Sequence, residues 1–352
     1  MATIADVARL AGVSSSTVSY VLSGKRPISA PTRERVERSI RELGFSAHAG
    51  ARALATNETN VIGLVVPLRA LETNSATVME VVTGVITAAR TYGDDVLVLT
   101  EDDVESIQRL ASSSRVDALV LMDVERHDPR LPLLGEVRQP AILIGVPSDT
   151  HGLSCVDLDF AAAGRLAVQH LTGHGHTGIA LLGAPESAVR RSANYAVRII
   201  DGFRGEAGRA GVRHTVVPCE GTYPGAAEAV ARAFDEVEDL TALVVHNEAA
   251  MPGVLDALAR RGLSVPGDVS VLAVSPLDLA EHLAVPLSVI DVPSVEIGRI
   301  AVAMAVERED DARPTETRLL APALTENGSC AAPPLEVGHT PPADGGRPVR
   351  RW

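Results

Sequence analysis

The chain is predicted to be an α/β protein that carries a small all-α head, and three observations lead there. Three short segments with apolar residues at helical spacing fill the first 45 positions. Beyond residue 59, short strand-like apolar runs alternate with amphipathic helix-like stretches, the pattern of parallel sheets with crossover helices. At 352 residues the chain is long enough for two or three domains and a large buried core.

The head is built in order. Ile4, Val7, Ala8 and Ala11 recur at helical spacing, and Gly12 supplies the freedom that a tight turn requires. Ser14 is placed to cap a second helix, in which Val18, Val21 and Leu22 form a stripe that packs on the first. At about 100° per residue, Ser15, Ser16, Ser19 and Tyr20 face away from that stripe. Two short helices joined by a glycine-containing turn, the second with a polar outer face, describe a helix-turn-helix. A third amphipathic helix is expected over residues 32–45, with Val36, Ile40 and Leu43 inward.

The strand-like runs of the body are 61-VIGLVVP-67, 96-VLVLT-100, 118-ALVLM-122, 141-AILIG-145, 179-IALLG-183, 242-ALVVH-246 and 269-VSVLAVS-275. Helical stretches lie between them, such as residues 80–93, 160–171, 226–237 and 248–262. These are too many strands for one ordinary doubly wound sheet, and two similar halves would account for them.

Charge separates along the chain. The total is −13, yet residues 1–59 hold eight Lys or Arg against five Asp or Glu, net +3, which leaves −16 on the remainder. The basic excess sits where DNA would bind, and phosphate contacts there make binding salt-sensitive. Cys155, Cys219 and Cys330 show no CxxC spacing, no apolar signal region opens the chain and no apolar run reaches membrane-spanning length, so a cytoplasmic protein without membrane contact is expected. The single lysine, Lys25, lies in the head, which removes lysine chemistry from the body.

The head runs Thr3, Ile4, Ala5, Asp6, Val7 and Ala8, then Ala11, Gly12, Val13 and Ser14, then Thr17, Val18 and Ser19. After a gap come Ser29, Thr32, Arg33, Arg35 and Val36, and finally Leu43, Gly44 and Phe45. In order and spacing this resembles the LacI/GalR transcription regulators. Further landmarks that fit are 156-VDLD-159, His170-Leu171 with Gly175-His176, Asn247-Glu248 with Ala250, and 265-VPGDVSV-271.

The resemblance implies a two-lobed core like the periplasmic sugar-binding proteins, with crossings near residues 158, 290 and 319. The expected division is a DNA-binding head over 1–46, a hinge helix and linker over 47–59, and a core over 60–326. Lobe one takes about 60–158 and 291–318, and lobe two about 159–290 and 319–326. Residues 327–352, rich in Pro and Gly without periodicity, are expected to be a disordered tail. That tail lacks the leucine heptads that tetramerise the lac repressor, so a homodimer is expected, with helix 77–92 and nearby strands as interface elements.

By the same resemblance, Ser15, Ser16 and Tyr20 face the bases of each operator half-site, and Ser14, Thr17, Ser19, Ser29 and Thr32 contact phosphates. Tyr20 stands where many relatives carry an arginine that grips guanine through two bonds, which a phenol cannot do. In the hinge, Ala47 and His48 replace the usual Pro-Asn, while Ala51, Arg52 and Leu54 fit, with Leu54 as the minor-groove wedge. A nine-residue helix containing Gly50 is too short to persist alone and should order on the operator.

For a small-molecule effector the candidates are Asp159, Arg198, Tyr223, Asn247 and Glu248. The sugar-binding set is only partly kept: Arg198 stands one place early with Ile199 at the arginine position, Glu248 replaces an aspartate after Asn247, and the late aspartate is lost within 274-VSP-276. An effector that is not a typical sugar, or none, is therefore expected.

Other motifs are read against a function. The segment 173-GHGHTG-178 satisfies G-x-G-x-x-G but follows a helix and precedes a strand, the reverse of a dinucleotide site. His170, His174 and His176 have no carboxylate or cysteine at ligand spacing, so no metal site and no cofactor are expected. No G-x-S-x-G elbow, Cys/His pair or paired-carboxylate motif is present, so no catalytic residue is assigned. Three readings compete: a DNA-binding regulator, most simply a repressor though an activator or dual regulator is open; a solute-binding sensor; and an enzyme. The helix-turn-helix favours the first.

Overall fold

The computed structural model describes residues 2–23, 26–45, 58–66, 75–113, 115–307 and 314–334. The head forms three helices: α1 (Ile4–Ala11), α2 (Ser15–Ser23) and α3 (Ala30–Leu43). The third begins two residues before the expected start, because Pro31 is tolerated in the first turn, where its missing N–H costs no hydrogen bond. Val7, Ala8, Ala11, Val18 and Val36 make the small core, flanked by Ile4, Val13, Val21, Leu22, Ile40, Leu43 and Phe45.

The chain divides into two compact units, one of residues 1–159, 188–197 and 293–321, the other of residues 160–187, 198–292 and 322–352. The main crossings thus fall at 159/160, 292/293 and 321/322, and residues 188–197 make an additional excursion into the first unit that the sequence reading does not contain. A bridge between Glu125 and Ala193, an Arg191–Asp123 ion pair at 2.7 Å and an Asn194 N–H bond to the Val124 carbonyl (2.9 Å) hold that excursion.

The first unit has an all-parallel six-stranded sheet in the order β11-β5-β4-β3-β1-β2, made of β1 (Val61–Val65), β2 (Asp95–Leu99), β3 (Ala118–Leu121), β4 (Ala141–Ile144), β5 (Ser154–Leu158) and β11 (Thr317–Leu320). The second has the order β12-β10-β9-β8-β6-β7, with β6 (Gly178–Gly183), β7 (Arg213–Pro218), β8 (Ala242–Val245), β9 (Ser270–Ser275), β10 (Ser288–Asp291) and β12 (Leu324–Thr325). Only the β10–β12 pair is antiparallel. Most central strands read as continuous apolar runs because helices cover both faces of a parallel sheet.

Each unit also contains a helix crossing on facing glycines. In the first, α4 (Ser75–Tyr92) and α13 (Ser294–Glu307) meet at Gly84 and Gly298, where an added methyl would strike the Val295 and Val81 carbonyl oxygens. In the second, α7 (Phe160–Gly173) and α9 (Asn194–Ala210) meet at Gly164 and Gly202, against the Ile199 and Ala161 carbonyls. The two units share both sheet and crossing, as two similar halves require.

The expectation of a tail disordered from residue 327 is corrected. Ser329 is fully buried, and its hydroxyl accepts from Ser288 N (2.7 Å) and donates to the Val271 carbonyl (2.5 Å). Asn327 donates to the Leu287 carbonyl and Ala331 N to Ser270 Oγ, both at 3.0 Å. Composition suggested disorder, but serines and asparagine at a sheet edge satisfy buried backbone groups that would otherwise stay unpaired. Residues 335–352 lie outside the described residues. Among the described residues no helix is long and apolar enough to cross a membrane.

Candidate nucleic-acid interface and effector residues

Helix α1 opens on a capping box: the Thr3 side chain accepts from Asp6 N, and the Asp6 carboxylate accepts from Thr3 N at 2.9 Å. Hydrogen bonds from Thr3 hold the Asp6 carboxyl below its ordinary range. The helix stops at Gly12, whose φ of 66° is the left-handed conformation that glycine adopts freely. Ser14 then caps α2, its hydroxyl accepting from Thr17 N at 3.2 Å and meeting Thr17 Oγ1 at 2.9 Å. At the start of α3 stands a second hydroxyl pair, Ser29 Oγ donating to Thr32 Oγ1 at 2.9 Å, though the Ser29 side chain makes no cap bond to the backbone. Two helix N-termini thus each present hydroxyls, the setting in which backbone N–H groups and the helix dipole receive phosphate.

With Val18 buried beneath it, α2 exposes Ser15 and Ser16 and leaves Ser19 and Tyr20 half-buried. The Arg26 guanidinium stacks over the Tyr20 ring at 5.1 Å from the centroid. The sequence reading omitted Arg26; its only signal was an arginine shortly after a helix that ends on an aromatic face. Ala51, Arg52 and Leu54 lie outside the described residues.

The effector candidates are distributed over both units. Asp159 directly follows β5 in the first, half-buried, its N–H bonded to the Leu320 carbonyl at 2.9 Å. The other four belong to the second unit. Tyr223 opens α10 (Tyr223–Glu236) and is 59% exposed. Asn247 is buried and caps the short 3-10 turn Glu248–Ala250; its Nδ2 donates to the Cys219 carbonyl at 2.7 Å, and its Oδ1 accepts from Ala249 N at 3.2 Å. That amide ties the ends of β7 and β8 together and brings the loops bearing Tyr223, Asn247 and Glu248 side by side. Arg198 is half-buried on α9, and Ile199, at the position where an arginine was sought, is fully buried.

Polar groups that the sequence reading did not assign also stand out. Arg130 and Asp128 form a buried two-point ion pair at 2.8 and 2.6 Å. Burial pushes the Asp128 carboxyl up, and the hydrogen bonds and charge of Arg130 more than offset this, leaving it below the ordinary value. No carboxylate stands at ligand spacing in sequence from the histidines of the 170–176 turn, but the chain brings Glu326 to 3.8 Å from His170. Sequence spacing could not reveal a partner more than 150 positions away.

Residues 3–47 match the bacterial regulatory proteins of the lacI family, and residues 168–330 match the periplasmic binding protein-like domain. The ribose operon repressor of Escherichia coli (strain K12) is 30% identical over 338 residues, covering 94% of this chain and all of that one. Among solved structures, a transcriptional regulator CelR–cellobiose complex is 27% identical with a TM-score of 0.66, covering 94% of this chain and 100% of that one. The lac repressor dimer bound to operator and the anti-inducer ONPF shares the fold, with a TM-score of 0.80 at 24% identity over 94% of this chain and 99% of that one. A capped helix-turn-helix in front of two parallel-sheet units, matched along nearly its whole length by such relatives, makes this chain a member of the lacI family of bacterial regulatory proteins and a DNA-binding transcriptional regulator.

Proposed function

We propose that this protein is a cytoplasmic repressor that binds a palindromic operator as a homodimer, reading bases with Ser15, Ser16 and Tyr20. The observation that carries this reading is the exposed hydroxyl face of α2, flanked by the Ser14–Thr17 and Ser29–Thr32 pairs at two helix N-termini. Ser14, Thr17, Ser19, Ser29 and Thr32 set register on phosphates, and the serines and Tyr20 read sequence. Ala51, Arg52 and Leu54 are assigned to the minor groove at the operator centre. A dimer suits a two-fold site, and α4 leaves Met79 and Ile86 exposed on one face, seven residues apart, beside the exposed Val98 of the edge strand β2.

Selection of duplex DNA by the purified protein tests this reading. The expected outcome is a palindromic site bound by two chains, with affinity falling steeply as salt rises. Recovery of no preferred sequence, or one chain bound per duplex, would overturn it.

The effector is proposed to be less polar than a simple sugar, although the relatives' names refer to ribose and cellobiose. Supporting this, Ile199 fills the arginine position from within the core, the Asn247 amide is engaged with backbone, and the Ser275 hydroxyl turns to the Pro276 carbonyl at 3.1 Å. A site that recognises sugar hydroxyls discriminates through polar groups, and here several are lost or occupied. In thermal-shift screening, common mono- and disaccharides should leave the melting temperature unchanged. A saturable shift with a simple sugar, abolished by Asn247→Ala, would restore an ordinary sugar-responsive repressor.

A further inference from the structure

The turn between α7 and β6 carries three histidines in unequal circumstances. His176 is buried with both ring nitrogens engaged, Nδ1 with Thr241 Oγ1 at 2.8 Å and Nε2 with Ser270 Oγ and the Ala331 carbonyl at 2.9 Å each. His170 and His174 stand four residues apart at the helix end, their rings edge-on with centroids 4.8 Å apart. Glu326 follows the short strand β12 and places its Oε1 3.8 Å from His170 Nδ1, too far for a hydrogen bond. One nitrogen from each of the two imidazoles and one Glu326 oxygen all lie within 4.8 Å of one another.

His170 supplies the independent observation. Its side chain is only 8% exposed, yet its Nε2 is buried without a hydrogen-bond partner. The other ring nitrogen, Nδ1, is the one that faces Glu326 at 3.8 Å, so a nearly enclosed imidazole offers that atom to the cluster.

We infer that His170, His174 and Glu326 form a binding site for a divalent transition-metal ion of the zinc class, which fastens the C-terminal segment to the end of α7. Two imidazoles and one carboxylate select zinc over calcium or magnesium, which prefer all-oxygen sets. A tetrahedral ion with bonds of about 2.1 Å needs its ligands roughly 3.4 Å apart, so the three donors close by about 1 Å or a little more. Glu326 is exposed and His174 half-exposed, so both side chains have room for that movement, and water completes the fourth position. Among the described residues, segment 324–331 is the last stretch hydrogen-bonded across the second unit, and the ion would staple it to a helix more than 150 positions earlier.

The test uses full-length, tag-free protein stripped with a chelator, then titrated with Zn²⁺ by calorimetry and with Co²⁺ by visible absorption. One equivalent per chain, a rise in melting temperature and tetrahedral Co²⁺ bands are expected. Glu326→Gln and His174→Gln should each weaken Zn²⁺ binding by about tenfold or more while melting like the wild type without metal. His282→Gln, at an exposed position outside the cluster, should bind as the wild type does. Absence of Zn²⁺ and Co²⁺ binding by the folded wild type, or binding undiminished in both cluster variants, would overturn the assignment.

Discussion

Tyr20 shows how much one side chain decides in a reading helix. A phenol offers one hydroxyl where a guanidinium would grip guanine O6 and N7 together, and here the ring is also the platform for Arg26. The operator preference should therefore differ from that of relatives with arginine at this place, and Tyr20→Ala should weaken specific binding by about 1–3 kcal/mol. Gel-shift titration of the selected operator beside random duplex measures it, with random-duplex affinity expected to stay unchanged because phosphate contacts remain. Equal operator affinity in mutant and wild type would remove Tyr20 from the reading face. Its position was legible from the 100° step along α2; the cation over its ring was not, because Arg26 reaches it only after the chain has turned out of the helix.

Among the secondary-structure elements, the informative contrast is between glycines of one helix. In α9, Gly202 touches α7 so closely that a methyl would overlap the Ala161 carbonyl, whereas Gly205 has nothing within 4 Å and faces solvent. Gly202→Ala should destabilise by about 1–3 kcal/mol through overpacking of backbone that cannot retreat. Gly205→Ala should stabilise by up to about 1 kcal/mol by helix propensity alone. Denaturant unfolding followed by circular dichroism separates the two, and a similar loss in both would show that the crossing is not what requires glycine. The strands β1, β2, β3, β4, β6, β8 and β9 were legible as apolar runs; the short central strands β5 and β10, which carry Ser and Asp, were not, and neither were the edge strands β7 and β11. Each of the last two lies at a sheet edge, so half-polar runs such as Arg213–Pro218 and Thr317–Leu320 serve there without the continuous burial that marks a central strand.

At the level of the whole chain, acid should weaken the second unit first. His246 is buried edge-on to Phe160 at 5.5 Å, and burial pushes its imidazole from 6.5 down to about 4. His170 and His176 shift the same way, again chiefly through burial. Between those values the unfolded chain binds more protons than the folded one, so stability is full above about pH 6.5 and is lost as pH falls toward 4. From pH 7.5 to 5 the loss from His246 alone should be about 2 kcal/mol. Melting curves across that range, with His246→Gln expected to flatten the dependence, measure it; a wild-type melting temperature that does not fall below pH 6.5 would contradict the buried neutral ring.

What the sequence by itself determined is the local and the periodic: the cap at Ser14, the turn at Gly12, the outward serines of α2, and the alternation that requires parallel sheets. Each depends on residues within a turn or two of one another, whose geometry follows from helix and strand repeats. Only the tertiary structure decided the rest. It carried residues 188–197 into the first unit, engaged the Asn247 amide with Cys219, ordered residues 327–331 against β9 and β10, and set Glu326 beside His170. Those contacts join positions far apart along the chain. They form only when a whole unit closes, so no nearby residue type or spacing records them.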